Sequence, residues 1–211
     1  PLGNKNITVT NPDGQSATGN NLINIIAHSP VTYNFTSLIQ GFYDSTNDLL
    51  VSDTMRVFLR NNTLPYAIVD SGKAYLTTGG TGSVSFANGY NGVNYYVQFK
   101  HRNSIQTWSK SPGQSFISNT LTYDLSSAAA QAFGNNLKLV NSSPLKYAIY
   151  GGDSNQDGII DATDVSNTEN EASINLSGYV QTDFNGDNYV DGSDLSLVEN
   201  NSSASVVAIL P

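Results

Sequence analysis

Between residues 31 and 150, apolar and polar positions alternate in short runs, and Gly, Asn, Asp and Ser interrupt them. In "TMRVFLRN", Met55, Val57 and Leu59 fall on one face of an extended chain, with Arg56, Phe58 and Arg60 on the other. "NYYVQFKHR" repeats the pattern: Tyr95, Val97 and Phe99 lie on one side, Tyr96, Gln98 and Lys100 on the other. Both read as half-buried strands. Further candidates are "VTYNFTSLIQGFY", "YAIVDS", "GSVSFAN", "IQTWSK", "FISNTLTYDL", "NLKLVN" and "KYAIY". Turn signals separate them every ten to fifteen residues, which is the pattern of a β-sandwich. Only "SSAAAQAF" (126–133) has helical composition, and one short helix leaves the class mainly β.

The ends of the chain differ from this middle. "NKNITVTNPDGQSATGNNLINIIAHSP" (4–30) gives two alternating runs around a Pro-Asp-Gly turn and predicts a β-hairpin. From residue 151 Asp-rich loops precede two segments of helical character, "ATDVSNTENEA" and "GSDLSLVENN", and the apolar tail "ASVVAILP" is expected to dock. The expected organisation is a hairpin segment over 1–30, a sandwich domain over 31–150 and a small helical domain over 151–211. The boundary falls at Tyr150–Gly152 with no long linker.

Charge sharpens that boundary. Net charge is −8, but residues 1–150 hold all nine Lys and Arg against six Asp, a balance of +3. Residues 151–211 hold eleven Asp and Glu with no Lys or Arg, a balance of −11. Nucleic acid is disfavoured as a partner. A segment so acidic needs counter-cations. With no cysteine anywhere, no disulfide or thiolate metal site can staple the fold. No apolar run is long enough for a membrane span. "PLGNKNITVT" lacks a basic then apolar leader, so the sequence is expected to begin either after processing or at an expression boundary, with "PLG" then a tag remnant.

The acidic loops supply the missing staple. Calcium takes six to eight oxygens at roughly 2.3–2.6 Å, and a twelve-residue loop offers them at positions 1, 3, 5, 7 (main-chain carbonyl), 9 and 12. "DSNQDGIIDATD" fills these with Asp153, Asn155, Asp157, the Ile159 carbonyl, Asp161 and Asp164. Thirty residues on, "DFNGDNYVDGSD" fills them with Asp183, Asn185, Asp187, the Tyr189 carbonyl, Asp191 and Asp194. Position 6, which needs positive φ, is Gly158 in one loop and Asn188 in the other. The apolar eighth residues, Ile160 and Val190, are expected to pair the loops through a short β-bridge. Two bound calcium ions would reduce −11 to −7.

These loops resemble the duplicated loop-helix repeats of dockerin modules, which plug into cohesins. The resemblance covers residues 151–200 and implies two calcium sites and a cohesin-like protein receptor. Dockerin recognition uses loop positions 10 and 11, often Ser-Thr; here they are Ala162-Thr163 and Gly192-Ser193, and the helices carry no basic residue. "ITVTNPDGQSATGNNLINI" resembles the last strands of an IPT/TIG immunoglobulin-like module, over residues 4–26. "GVNYYVQFKHRNSIQTWSKSPGQSF", "LTYDLSS" and "AFGNN" resemble a β-domain that precedes dockerin-like pairs in large secreted bacterial proteins. Together they imply an immunoglobulin-like or transthyretin-like sandwich joined to a dockerin-like domain, secreted or on a bacterial surface.

Catalytic constellations are missing. His28 and His101 are the only histidines, and His101 reads as a strand-end cap on a loop carbonyl. Residues 1–150 contain no Glu for a carboxylate pair, and no phosphate loop or nucleophile elbow occurs. The expectation is a non-catalytic calcium-binding module for protein-protein assembly or surface attachment. A self-assembling filament subunit that completes neighbouring copies with its hairpin is the alternative, as is a polysaccharide-binding module. For the last, Trp108 with Tyr95, Tyr96 and Arg102 is a sugar-stacking candidate that reads first as core.

Overall fold

Strand alternation decides where the core lies. In the computed structural model, which describes residues 2–25 and 28–211, Met55, Val57 and Leu59 are buried while Thr54 and Arg56 are exposed, as the pattern requires, although Phe58 on the second face is buried as well. The strands in chain order are β1 (Gly3–Thr10), β2 (Ser16–Ile25), β3 (Val31–Thr36), β4 (Tyr43–Asp44), β5 (Leu49–Leu50), β6 (Asp53–Asn61) and β7 (Ile68–Leu76). They continue with β8 (Thr81–Phe86), β9 (Asn94–Lys100), β10 (Thr107–Trp108), β11 (Gln114–Ser115), β12 (Thr120–Asp124), β13 (Lys138–Ser142) and β14 (Leu145–Ala148). The only α-helices among the described residues are α1 (Ala162–Ser173) and α2 (Gly192–Ser203). The protein is mainly β.

Two sheets carry the core. One has the order β10-β9-β6-β7, with β11 also on β9; the other has the order β12-β3-β8, with β12 parallel to β3. They face each other through Tyr33 and Phe35 of β3 against Phe99 of β9, with ring centroids 6.2 and 5.3 Å apart. The arrangement is consistent with the expected sandwich. Close approach depends on a missing side chain at Gly72 of β7, where a Cβ would stand 2.4 Å from Val84 Cγ1.

Two expectations fail here. Strand β9 is buried on both faces from Tyr95 to Phe99, because Tyr66 and Trp108 cover Tyr96 from outside and Gln106 hydrogen-bonds Gln98. The stretch 126–133 forms no α-helix but belongs to a series of 3₁₀ turns, Leu125–Ser127, Ala129–Gln131 and Phe133–Asn135, with Ala128 extended between the first two. Its backbone is claimed by neighbours: Lys110 N donates to Gln131 O at 2.9 Å, and Ser109 bridges Ala132.

The hairpin forms as expected, with β1 and β2 as a separate two-stranded sheet turned over Pro12-Asp13-Gly14. Ile7, Val9, Leu22 and Ile23 are exposed on it. Pro1, Ile26 and Ala27, part of the segment assigned to 1–30, lie outside the described residues.

The expected boundary at 150–152 is itself buried chain. Ile149 N donates to Leu38 O (2.9 Å) and Gln40 N to Ile149 O (2.9 Å) on one side. Opposite, Ile105 N donates to Tyr150 O (3.1 Å) and Gly152 N to Asn103 O (2.9 Å). Ile160, Phe184, Val198 and Val206 from beyond the boundary join the same hydrophobic cluster as the strands. Gly41 makes this fit possible: at φ +89°, a Cβ there would stand 2.2 Å from the Phe184 carbonyl oxygen.

Candidate metal centre

Each acidic loop is a chain of Asp and Asn side chains accepting from amides just ahead of them, which is how short polar side chains hold a tight turn. In the first, Asn155 Oδ1 accepts from Asp157 N (2.9 Å), Asp157 Oδ1 from Ile159 N (2.9 Å) and Asp161 Oδ1 from Thr163 N (2.7 Å). Asp164 closes the loop, taking Ser154 N (2.8 Å) on Oδ1 and Asp161 N (3.0 Å) on Oδ2. Asp161 and Asp164 thereby form a capping box that starts α1.

The second loop repeats this with an offset of thirty residues. Asn185 Oδ1 accepts from Asp187 N (2.9 Å), Asp187 Oδ1 from Tyr189 N (2.9 Å), and Asp191 Oδ1 from Ser193 N (2.8 Å). Asp194 takes Phe184 N (2.7 Å) and Asp191 N (3.1 Å), and Asp191 with Asp194 caps α2. Gly158 has φ +90° and Asn188 φ +70°, so both sixth positions turn as expected.

The expected bridge between the loops does not form. Ile160 N donates to Val206 O (2.9 Å) and Ala208 N to Gly158 O (2.7 Å), so the first loop is closed by the segment after α2. Val190 N donates to Leu176 O (2.9 Å) and Gly178 N to Asn188 O (2.8 Å), so the second is closed by the segment after α1. The tail is docked by this exchange, and Asn136 Nδ2 holds Val207 O at 3.0 Å. Both bridges use the groups flanking positions 159 and 189. The Ile159 and Tyr189 carbonyls are thus left without an N–H donor among the described residues, with both lone pairs open to a ligand.

Whether the residues suit a cation turns on Asp153. It is 1% exposed; its Oδ2 accepts from Gly158 N at 3.0 Å, while its buried Oδ1 has no partner at all. Burial, with the charges of Asp164 and Asp157 nearby, pushes its carboxyl up to about 7. Burial also raises Asp194, whereas bonds from Ser193 lower the exposed Asp191. The acids rest on backbone amides, and among the described residues no three His, Cys, Asp or Glu side chains close on one point. The donor set is nonetheless all oxygen, hard and anionic, with an orphaned buried carboxylate oxygen in its first position. That suits calcium.

The loops differ in what lies behind them. Asp183 O accepts from Asn103 Nδ2 (2.6 Å), and Arg102 Nη2 lies 3.4 Å from Asp183 Oδ2. Arg102 also reaches the Val180 carbonyl, and its Nε lies 3.1 Å from Asp53 Oδ2. His101 is no cap on a loop carbonyl: its Nδ1 meets Asn103 Oδ1 (2.7 Å) and its Nε2 lies 3.1 Å from Asp53 Oδ2. Tyr179 OH donates to Asp53 Oδ1 at 2.6 Å. Burial alone would raise Asp53, but the His101 imidazole beside it and the hydrogen bond from Tyr179 hold it well below the usual carboxylate range. Sequence reading passed over Asp53, Asn103 and Tyr179, which are scattered along the chain and meet only in the fold.

The aromatic candidate is closed. Trp108 is 5% exposed, with the Arg60 guanidinium 5.0 Å from its ring and Tyr66 packed edge-on at 6.3 Å. Tyr95 and Tyr96 are buried as well. No helix of the described residues is long and apolar enough to cross a membrane. No protein-family model matches the sequence, and none of the curated proteins is significantly similar to it.

Proposed function

We propose that this chain is a non-catalytic, calcium-stapled extracellular module that serves protein-protein assembly or surface attachment of a secreted bacterial protein. The observation that carries the reading is the buried, unpartnered Oδ1 of Asp153 in a loop whose hydrogen bonds recur thirty residues later. Asp153, Asn155, Asp157, the Ile159 carbonyl, Asp161 and Asp164 hold one ion. Asp183, Asn185, Asp187, the Tyr189 carbonyl, Asp191 and Asp194 hold the other. Calcium supplies charge neutralisation and cross-linking, and the chain supplies oxygens fixed by capping boxes.

The loop-helix pair is dockerin-like, and the β region is an immunoglobulin-like or transthyretin-like sandwich. A cohesin-like receptor would meet Ala162 and Val165 at the start of α1 beside Glu199, Asn200 and Ser203 near the end of α2, which line one open depression. Calorimetric titration of the chelator-stripped chain tests the metal: two ions bind and the melting temperature rises. A melting temperature unmoved by calcium or chelator refutes it.

A second reading has its own support. The β1-β2 ribbon pairs with no other strand among the described residues and exposes Ile7, Val9, Leu22 and Ile23, so strand addition to a neighbouring copy would cover it. Sedimentation of the full chain against one lacking residues 1–30 decides this: a monomer in both cases rejects it.

A further inference from the structure

The outer face of the larger sheet carries a row of three cations. Lys73 on β7 stands opposite Arg56 on β6, and Arg56 stands opposite Lys100 on β9. Like charges placed directly across strands are unfavourable. Arg56 and Lys73 are exposed, and none of the three forms an ion pair among the described residues. Neither burial nor pairing accounts for the row.

The row floors a cleft of about 380 Å³ where the β region meets the acidic segment. Arg102 joins Arg56, Lys73 and Lys100 there, so four of the nine cations in a chain of net charge −8 line one cleft. Thr54, Gln156, Gln181 and Tyr179 supply neutral hydrogen-bonding groups, His101 completes the lining, and no aliphatic side chain enters it. The core of a protein-binding patch is depleted of charged residues, whereas four cationic side chains line this cleft. Tyr179 is fixed by its bond to Asp53 and by the Arg102 guanidinium 4.2 Å from its ring, yet remains 65% exposed. Adjacent strands lie about 4.8 Å apart, so the charges recur at a spacing close to the rise of one sugar ring along an extended glycan.

We propose that this cleft binds an acidic polysaccharide. Carboxylate or sulfate groups sit on the Lys73, Arg56 and Lys100 row, and sugar hydroxyls meet Thr54, Gln156, Gln181 and Tyr179. The site names a ligand class for the attachment role and rests on that reading, but uses none of the calcium ligands. Failure of the metal reading shows as melting indifferent to chelator; failure here shows as absent glycan binding with calcium present.

The experiment is calorimetric titration of the full chain, calcium present, with oligosaccharides of a homopolymeric uronate, which carry one carboxylate per ring, with dextran sulfate and with unsubstituted dextran. The acidic probes bind, dextran does not, and affinity falls steeply with added salt. The double variant Arg56→Gln, Lys73→Gln binds about ten-fold or more weakly, since two cations at the ligand are lost, while its melting temperature stays level or rises as the repulsion along the row is relieved. Lys138→Gln, exposed and outside the cleft, leaves binding as it was. The proposal is overturned if neither acidic probe binds, if the double variant binds as well as the parent, or if Lys138→Gln loses as much. Self-association abolished by the double variant, without glycan binding, also overturns it and assigns the row to a second copy's acidic segment.

Discussion

The Arg102 guanidinium lies 3.4 Å from the carboxylate of Asp183, so a cation from the β region already faces the first position of the second loop. Asp153, its counterpart in the first loop, forms no ion pair among the described residues. Two loops of near-identical donors are thereby made unequal.

Calcium is therefore expected to fill the loops in order, the one at Asp153 first, with affinities separated by about ten-fold because a fixed positive charge opposes the second ion. Stepwise titration of Asp164→Ala and Asp194→Ala, each leaving one loop intact, measures the two constants separately. Equal constants would show that Arg102 has no influence.

Gly41→Ala is expected to loosen the joint between the paired sheets and the loop-helix segment. The new Cβ meets the Phe184 carbonyl oxygen 2.2 Å away, in a backbone conformation that only glycine adopts readily. The cost is about 2 kcal/mol or more. Thermal melting reads it. Phe184→Ala empties a fully buried site in the same joint and costs about 3–5 kcal/mol.

Acid should act on the joint through Asp53. Its folded value is depressed, so its contribution is complete above the ordinary unfolded value of about 4 and is lost as pH falls below that toward the folded one. Asp53→Asn removes the charge that faces Arg102 and His101, at a cost of about 3 kcal/mol near neutrality. The gap in melting temperature between parent and variant narrows below about pH 4. A gap that is constant with pH would refute the assignment.

Removing residues 206–211 should weaken the first loop and spare the second. The deletion takes away the bonds from Ile160 N to Val206 O and from Ala208 N to Gly158 O, while the second loop keeps its partners at Leu176 and Gly178. Calcium affinity of the first loop falls about ten-fold or more, two hydrogen bonds being worth roughly 1 kcal/mol each. Titration in an Asp194→Ala background isolates it.

The parts of this structure legible from sequence are those fixed by local geometry. Alternation placed β6, and the Pro-Asp-Gly turn placed the hairpin. The twelve-residue spacing placed Asp153 and Asp183 at the loop openings and Asp164 and Asp194 under the helix starts. What stayed hidden depends on distant segments. Tyr96 and Gln98 look half-exposed until Tyr66, Gln106 and Trp108 fold over them. Residues 126–133 have helical composition, but Ser109 and Lys110 engage their backbone. The network of Asp53, His101, Arg102 and Asn103 around Asp183 spans three regions of the chain, and no spacing rule connects them.

The exchange of closing segments between the two loops means that one thirty-residue repeat is not self-sufficient. Alone, it would hold a loop with no strand to shut it and a strand with no loop to shut. Two identical repeats facing each other across a two-fold axis would satisfy both needs at once. Because each loop of the covalent pair is shut by the segment that follows the other repeat's helix, the two repeats are expected to fold as one unit.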